Sequence, residues 1–104
     1  MKQGDLYLVT LDPVVGSEQA KTCPCLIVST DLVNDYASTV TIVPLSSQIR
    51  KKPFVFHIPF KDGILKLEQI RTVDKKRLVK RIGNIPLKTQ NYVKNLLKLY
   101  FDIV

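Results

Sequence analysis

Lys66 and Glu68 place a cation and a carboxylate two residues apart in the stretch Gly63-Ile64-Leu65-Lys66-Leu67-Glu68-Gln69-Ile70. If that stretch is a strand, as its composition predicts, the two side chains share a face and Ile70 continues the row. Such a pair meets part of what metal-free RNA cleavage requires. The reaction needs a base near the 2′-hydroxyl, a proton donor near the departing 5′-oxygen and positive charge at the crowded phosphate. A surface ion pair on a solvated strand carries the same signature. Cys23 and Cys25, flanking Pro24, point the same way on an extended segment but reach disulfide geometry poorly. With a single histidine in the chain, no zinc set is expected, and the thiols read as reduced and partly buried. That histidine, His57, reads as an exposed strand residue whose neighbours Val55 and Pro59 form no reactive set.

The elements that must position these groups are mostly short strands. Asp5 to Leu11, Thr22 to Thr30, Thr39 to Leu45, Phe54 to Phe60, Ile64 to Val73 and Leu78 to Ile85 carry the apolar and β-branched composition of strands. Asp12-Pro13 ends the first, because proline removes a ladder donor. A loop over residues 14 to 21 turns at Gly16, and Asp62-Gly63 signals a tight turn. Asp31 to Ser38 fits a short helical turn capped by Thr30 or Asp31. From Thr89, taken as an N-cap, Val93, Leu96, Leu97, Tyr100 and Val104 recur at helical spacing. Many short strands with one terminal helix predict a mainly β fold, a curled antiparallel barrel with the helix packed beside it.

The 104 residues suit one domain, 1–104. A hydrophobic fraction of 45% points to an ordered core rather than a disordered tail. No apolar run reaches membrane-spanning length, and the start of the chain shows no signal-like pattern, so a cytoplasmic protein is expected. The net charge of +7 favours an anionic partner: nucleic acid, an acidic protein or a membrane surface. The basic blocks Arg50-Lys51-Lys52 and Lys75-Lys76-Arg77 are too short to be disordered arms.

Four segments narrow this further. Gly4-Asp5-Leu6-Tyr7, Leu11-Asp12-Pro13, the run from Gly16 to Val28, and Glu68-Gln69-Ile70-Arg71-Thr72-Val73-Asp74-Lys75 together resemble the MazF/PemK family of toxin endoribonucleases. The resemblance implies an SH3-like (CcdB/PemK-type) antiparallel barrel with helical decoration. It also implies sequence-selective, metal-independent cleavage of single-stranded RNA, without a cofactor. The implied partners are a second copy of the chain and an acidic, partly disordered antitoxin.

The same resemblance assigns roles. Where the family commonly has an arginine serving the reacting phosphate, this chain has Cys23; the family's Thr or Ser past the third strand falls on Ser46. A second catalytic arrangement within the family falls on Glu68 and Lys66, with Ser17 in the Gly-led loop. Glu18 and Gln19 are candidates for base contacts, and Lys21, Arg50, Lys51 and Arg71 for the RNA backbone. A thiol is shorter than a guanidinium, donates weakly and repels phosphate once ionised, so Cys23 cannot replace arginine directly. Two expectations therefore stand: a nuclease weakened at Cys23, or a nuclease-deficient relative that binds RNA, antitoxin or another target, such as the gyrase poisoned by a related barrel family.

Overall fold

The computed structural model describes residues 1–11, 16, 21–47 and 54–103. Seven strands, β1 (Asp5–Thr10), β2 (Thr22–Ile27), β3 (Thr39–Ser46), β4 (His57–Phe60), β5 (Gly63–Lys66), β6 (Arg71–Asp74) and β7 (Leu78–Asn84), form one antiparallel sheet. Its path runs β4-β5-β3-β2-β1-β7, with β6 also pairing β3. Helix α1 (Asp31–Tyr36) links β2 to β3, and helix α2 (Leu87–Tyr100) follows β7. The curled sheet with a terminal helix is the expected architecture, although among the described residues β4 and β7 do not pair to close it.

Strand β3 organises the sheet. On one edge Ile42 to Pro44 pair with β2; on the other, Thr39 to Ile42 pair with β6, and Leu45 and Ser46 pair with β5. Val40, Ile42 and Val43 are fully buried, as expected of a strand with neighbours on both edges and core on both faces. Two apolar clusters result. Leu6, Leu26, Val43, Ile58, Leu65, Leu67 and Ile85 meet Val93 of α2, while Val9, Leu11, Cys23, Cys25, Ile27, Val40, Ile42 and Val73 fill the second. Register shifts between β1 and β7 at Leu6/Tyr7 and Leu8/Val9 add curl.

Several boundaries differ from expectation. The stretch 64–73 is not one strand: a 3₁₀ turn over Leu67–Gln69 separates β5 from β6, because both must reach the same edge of β3 in succession. Residues 54–56 turn instead of extending, with His57 N donating to Phe54 O at 3.0 Å. Helix α2 begins at Leu87 after Pro86, so Thr89 lies inside it and does not cap it. Thr30 is the N-cap of α1 without a side-chain cap bond, and Asp31 Oδ1 instead accepts from Gln3 N at 2.8 Å. That helix is held through buried Asn34: Ser29 Oγ donates to Asn34 Oδ1 at 2.5 Å, and Asn34 Nδ2 donates to Ser29 O at 3.0 Å.

The β4–β5 hairpin turns on Lys61-Asp62, with Gly63 already opposite Phe60. Gly63 is required by approach rather than by φ. A Cβ there would lie 2.9 Å from Ser46 O and 3.0 Å from Leu45 Cδ1. Gly63→Ala should therefore push the hairpin off the end of β3, and urea unfolding should register a loss of about 1–3 kcal/mol.

Candidate functional site

Three sequence candidates come together where β2 begins and β3 ends. Cys23, Ser46 and Lys21, with Pro24, Leu45, Ser47 and the turn Phe60 to Gly63, line an open pocket of about 510 Å³. Chain geometry explains the convergence. The central strand delivers Ser46 at its last position, β2 brings Cys23 beside it, and the hairpin closes over both because Gly63 lacks a side chain. Ser46 is 1% exposed, so its hydroxyl sits at the pocket floor rather than on the surface.

The pocket's two lysines share an uncommon backbone. Lys21 has φ 64° and Lys61 φ 51°, left-handed conformations that a non-glycine residue adopts at some cost. At Lys21 the bend is fixed by its carbonyl, which accepts from Leu11 N at 2.8 Å. At Lys61 it is fixed by the two-residue hairpin. Lys61 was not among the sequence candidates; a lysine in a predicted turn opposite the end of β3 was the available signal. Its ammonium also lies 5.5 Å from the centre of the Phe60 ring, within cation–π range.

Cys23 is more deeply set than a loop–strand junction suggested. It is 7% exposed, belongs to the second apolar cluster, and faces the pocket only at its edge. The two thiols are free, with Sγ atoms 3.7 Å apart, and Cys25 Sγ lies 3.6 Å from Cys23 O, to which it donates. The hydrogen bond from Cys25 lowers the pKa of Cys23 against an opposing push from burial. Cys25 moves far above the usual thiol range, by the same hydrogen bond, by burial and by the charge on Cys23, with Arg71 pulling weakly the other way. Cys23 is thus the more acidic of the two thiols.

Lys66 and Glu68 do not share a strand face. Lys66 ends β5, and Glu68 lies in the 3₁₀ turn, so the two-residue row running on to Ile70 does not form. Neither residue lines the pocket of Cys23 and Ser46. The Glu68 carboxylate is instead held by His57, whose Nε2–H donates to its two oxygens at 2.6 and 2.9 Å. The expectation of an exposed histidine outside any reactive set is therefore corrected. Only 9% of the His57 side chain is exposed, its ring packs edge-on to Phe54 at 5.0 Å, and its buried Nδ1 has no hydrogen-bond partner among the described residues. The signal was the hairpin register, which pairs His57 with Lys66 and so brings the following turn within reach.

Arg71 opens β6 opposite Ile42 and is half-buried, near enough to Cys25 for its charge to draw that thiol's pKa down weakly. Ser17, Glu18, Gln19, Arg50 and Lys51 lie outside the described residues. Among the described residues no group of three His, Cys, Asp or Glu is placed to hold a metal ion, and no helix is long and apolar enough to cross a membrane.

A curled antiparallel sheet, a packed C-terminal helix and a cation-rimmed pocket at the end of the central strand define a small basic β protein with a polar cleft. The chain belongs to the family described as PemK-like, MazF-like toxin of type II toxin–antitoxin system, which it matches over residues 2–101. It is 31% identical to endoribonuclease EndoA of Bacillus subtilis, over 100% of this chain and 97% of that protein. With endoribonuclease MazF of Staphylococcus saprophyticus the identity is 35%, over 95% of this chain and 89% of the other. Its fold resembles MazF from Deinococcus radiodurans (TM-score 0.84, 21% identity, 99% and 97% of the two chains). A mycobacterial endoribonuclease solved in complex with its cognate antitoxin gives a TM-score of 0.84 at 20% identity, over 100% and 97%.

Two outcomes follow from this geometry. His57→Ala strips the Glu68 carboxylate of its donor and should lower stability by about 1–3 kcal/mol in denaturant melts, with His57→Gln recovering part of the loss. Limited iodoacetamide treatment should label Cys23 before Cys25. Because the Cys23 pKa is lowered and that of Cys25 raised, labelling of Cys23 should rise at lower pH than labelling of Cys25.

Proposed function

We propose that this chain is the toxin of a type II toxin–antitoxin pair, acting in the cytoplasm as a sequence-selective, metal-independent endoribonuclease on single-stranded RNA. The observation that carries the reading is the meeting of Ser46, Cys23, Lys21 and Lys61 in one pocket on a chain of net charge +7. Family membership and the names of the relatives support RNA as the substrate.

In this reading Lys21 and Lys61 flank the reacting phosphate and lower the cost of its developing charge. Ser46, fixed at the floor, orients a phosphate oxygen through its hydroxyl. The RNA supplies its own 2′-hydroxyl as nucleophile, so no metal-bound water is needed. Cys23 occupies the place from which an arginine would reach the phosphate, and it supplies neither the fork of donors nor the permanent charge. The consequence is slow cleavage. Glu68, engaged by His57, serves to hold the β4–β5 hairpin and leaves the chemistry to the pocket. Ser17, Glu18, Gln19, Arg50, Lys51 and Arg71 supply further RNA contacts in this reading. A second copy of the chain completes the groove, and an acidic antitoxin, steered by the positive field, covers it.

The competing reading, a protein that binds RNA or antitoxin without cutting, is favoured by one feature: the thiol at position 23 packs into an apolar cluster. Incubating purified protein with a long RNA in EDTA separates the two. Slow cutting under chelation, lost in Ser46→Ala, supports the nuclease. Retention of RNA with no cutting supports the binder, and cutting that returns only with magnesium overturns the metal-free mechanism. Cys23→Arg should raise the rate at least about tenfold by extending a guanidinium into the open pocket. It should also cost about 1–3 kcal/mol of stability, since the thiol leaves the core.

A further inference from the structure

Metal-free cleavage needs a base at the 2′-hydroxyl, and the carboxylate expected to serve is engaged elsewhere. Both oxygens of Glu68 accept from His57, and Glu68 does not line the pocket of Ser46. Among the described residues, one carboxylate does line that pocket, together with Lys21, Cys23 and Lys61, and it belongs to Asp62. Its oxygens make no hydrogen bond or ion pair with any described residue. A base requires a free lone pair, and Asp62 has what Glu68 lacks.

The hairpin puts Asp62 there by departing from ordinary turn chemistry. Asp-Gly favours the two central positions of a tight turn, yet the register pairs Gly63 with Phe60 and leaves Lys61-Asp62 as the loop. Lys61 then holds a left-handed φ of 51° at the first loop position, where such hairpins ordinarily place Gly, Asn or Asp. Gly63, moved out of the loop, packs so closely on β3 that a Cβ would stand 2.9 Å from Ser46 O. Asp62 is one peptide from that contact, its Cα about 3.8 Å from that of Gly63. The strained tip thus sets a carboxylate beside the end of β3, in a cleft that also holds two ammonium groups. A carboxylate repels the phosphates such a cleft receives, so substrate binding alone gives it no use. Proton transfer does.

We propose that Asp62 is the general base of the cleavage reaction, taking the proton of the 2′-hydroxyl beside the scissile phosphate. The inference rests on the nuclease reading and adds the group which that reading lacks. The 2′-oxygen bonds to phosphorus as its proton passes to an Asp62 carboxylate oxygen. The bond from phosphorus to the 5′-oxygen breaks, its electron pair stays on that oxygen, and one of the two pocket ammonium groups donates the proton it needs. The products are a 2′,3′-cyclic phosphate and a 5′-hydroxyl. Asp62, now a carboxylic acid, and the lysine, now an amine, regain their charges by proton exchange with water.

The test compares the parent, Asp62→Asn and Asp62→Glu in single-turnover cleavage of a long RNA in EDTA. Affinity is measured in parallel by fluorescence anisotropy on a 2′-O-methyl copy of the cleaved segment, which lacks the nucleophile. Asp62→Asn, equal in size and at home in turns, should lower the rate at least about tenfold, a cautious fraction of the usual effect. It should leave affinity equal or tighter, because a charge that repels phosphate is gone, and Asp62→Glu should recover part of the rate. Urea melts establish folding, and Asp62→Ser takes the place of the Asn variant if that does not fold. A smaller loss of rate in the folded variant overturns the proposal. So does a loss of rate matched by a loss of affinity, which marks a group that shapes the cleft rather than one that moves a proton. If neither the parent nor Cys23→Arg cuts RNA at all, the nuclease reading itself fails and this inference falls with it.

Discussion

The pairing of β3 on both edges is the constraint on which the other features depend. Its first half holds β6, its last two residues hold β5, and its middle holds β2. A one-residue slip would exchange the faces of Ile42 and Val43, which serve different clusters, and turn Ser46 away from the pocket. With both faces apolar and both edges paired, no such slip is tolerated. The pocket is therefore placed with the accuracy of the core rather than that of a loop.

That accuracy has a consequence for chemistry. Groups at strand ends are fixed by hydrogen-bonded neighbours, whereas the cations beside them stand on bends: Lys21 just before β2 and Lys61 in the hairpin turn, both in left-handed backbone. In the proposed mechanism the rigid floor orients the phosphate and the bent, cationic rim supplies charge. The thiol pair lies beside them within the second apolar cluster, and hydrogen bonding between the two sulfurs pushes the pKa values of two chemically identical side chains apart.

The His57–Glu68 couple shows how register creates a contact that spacing conceals. Eleven positions separate the two residues, yet the hairpin at Lys61-Asp62 brings them to 2.6 Å. Lys66 and Glu68, adjacent in pattern, are parted by a change from strand to 3₁₀ turn. Local pattern reported their spacing correctly and their shared face wrongly, because the turn is imposed by where β5 and β6 meet β3.

The sequence by itself determined the strand-rich class, the terminal helix, the reduced thiols and the candidates Cys23 and Ser46. These rest on alternation, helical period and residue type, which are local properties, and on motif resemblance. The ends of α2 and of β4, the break after Lys66, the burial of Cys23, the place of Lys61 at the pocket and the partner of Glu68 were decided only by tertiary structure. Each depends on which strand lies beside which. Burial and long-range hydrogen bonding are set by neighbours brought together across the sheet, and periodicity along the chain carries no record of them.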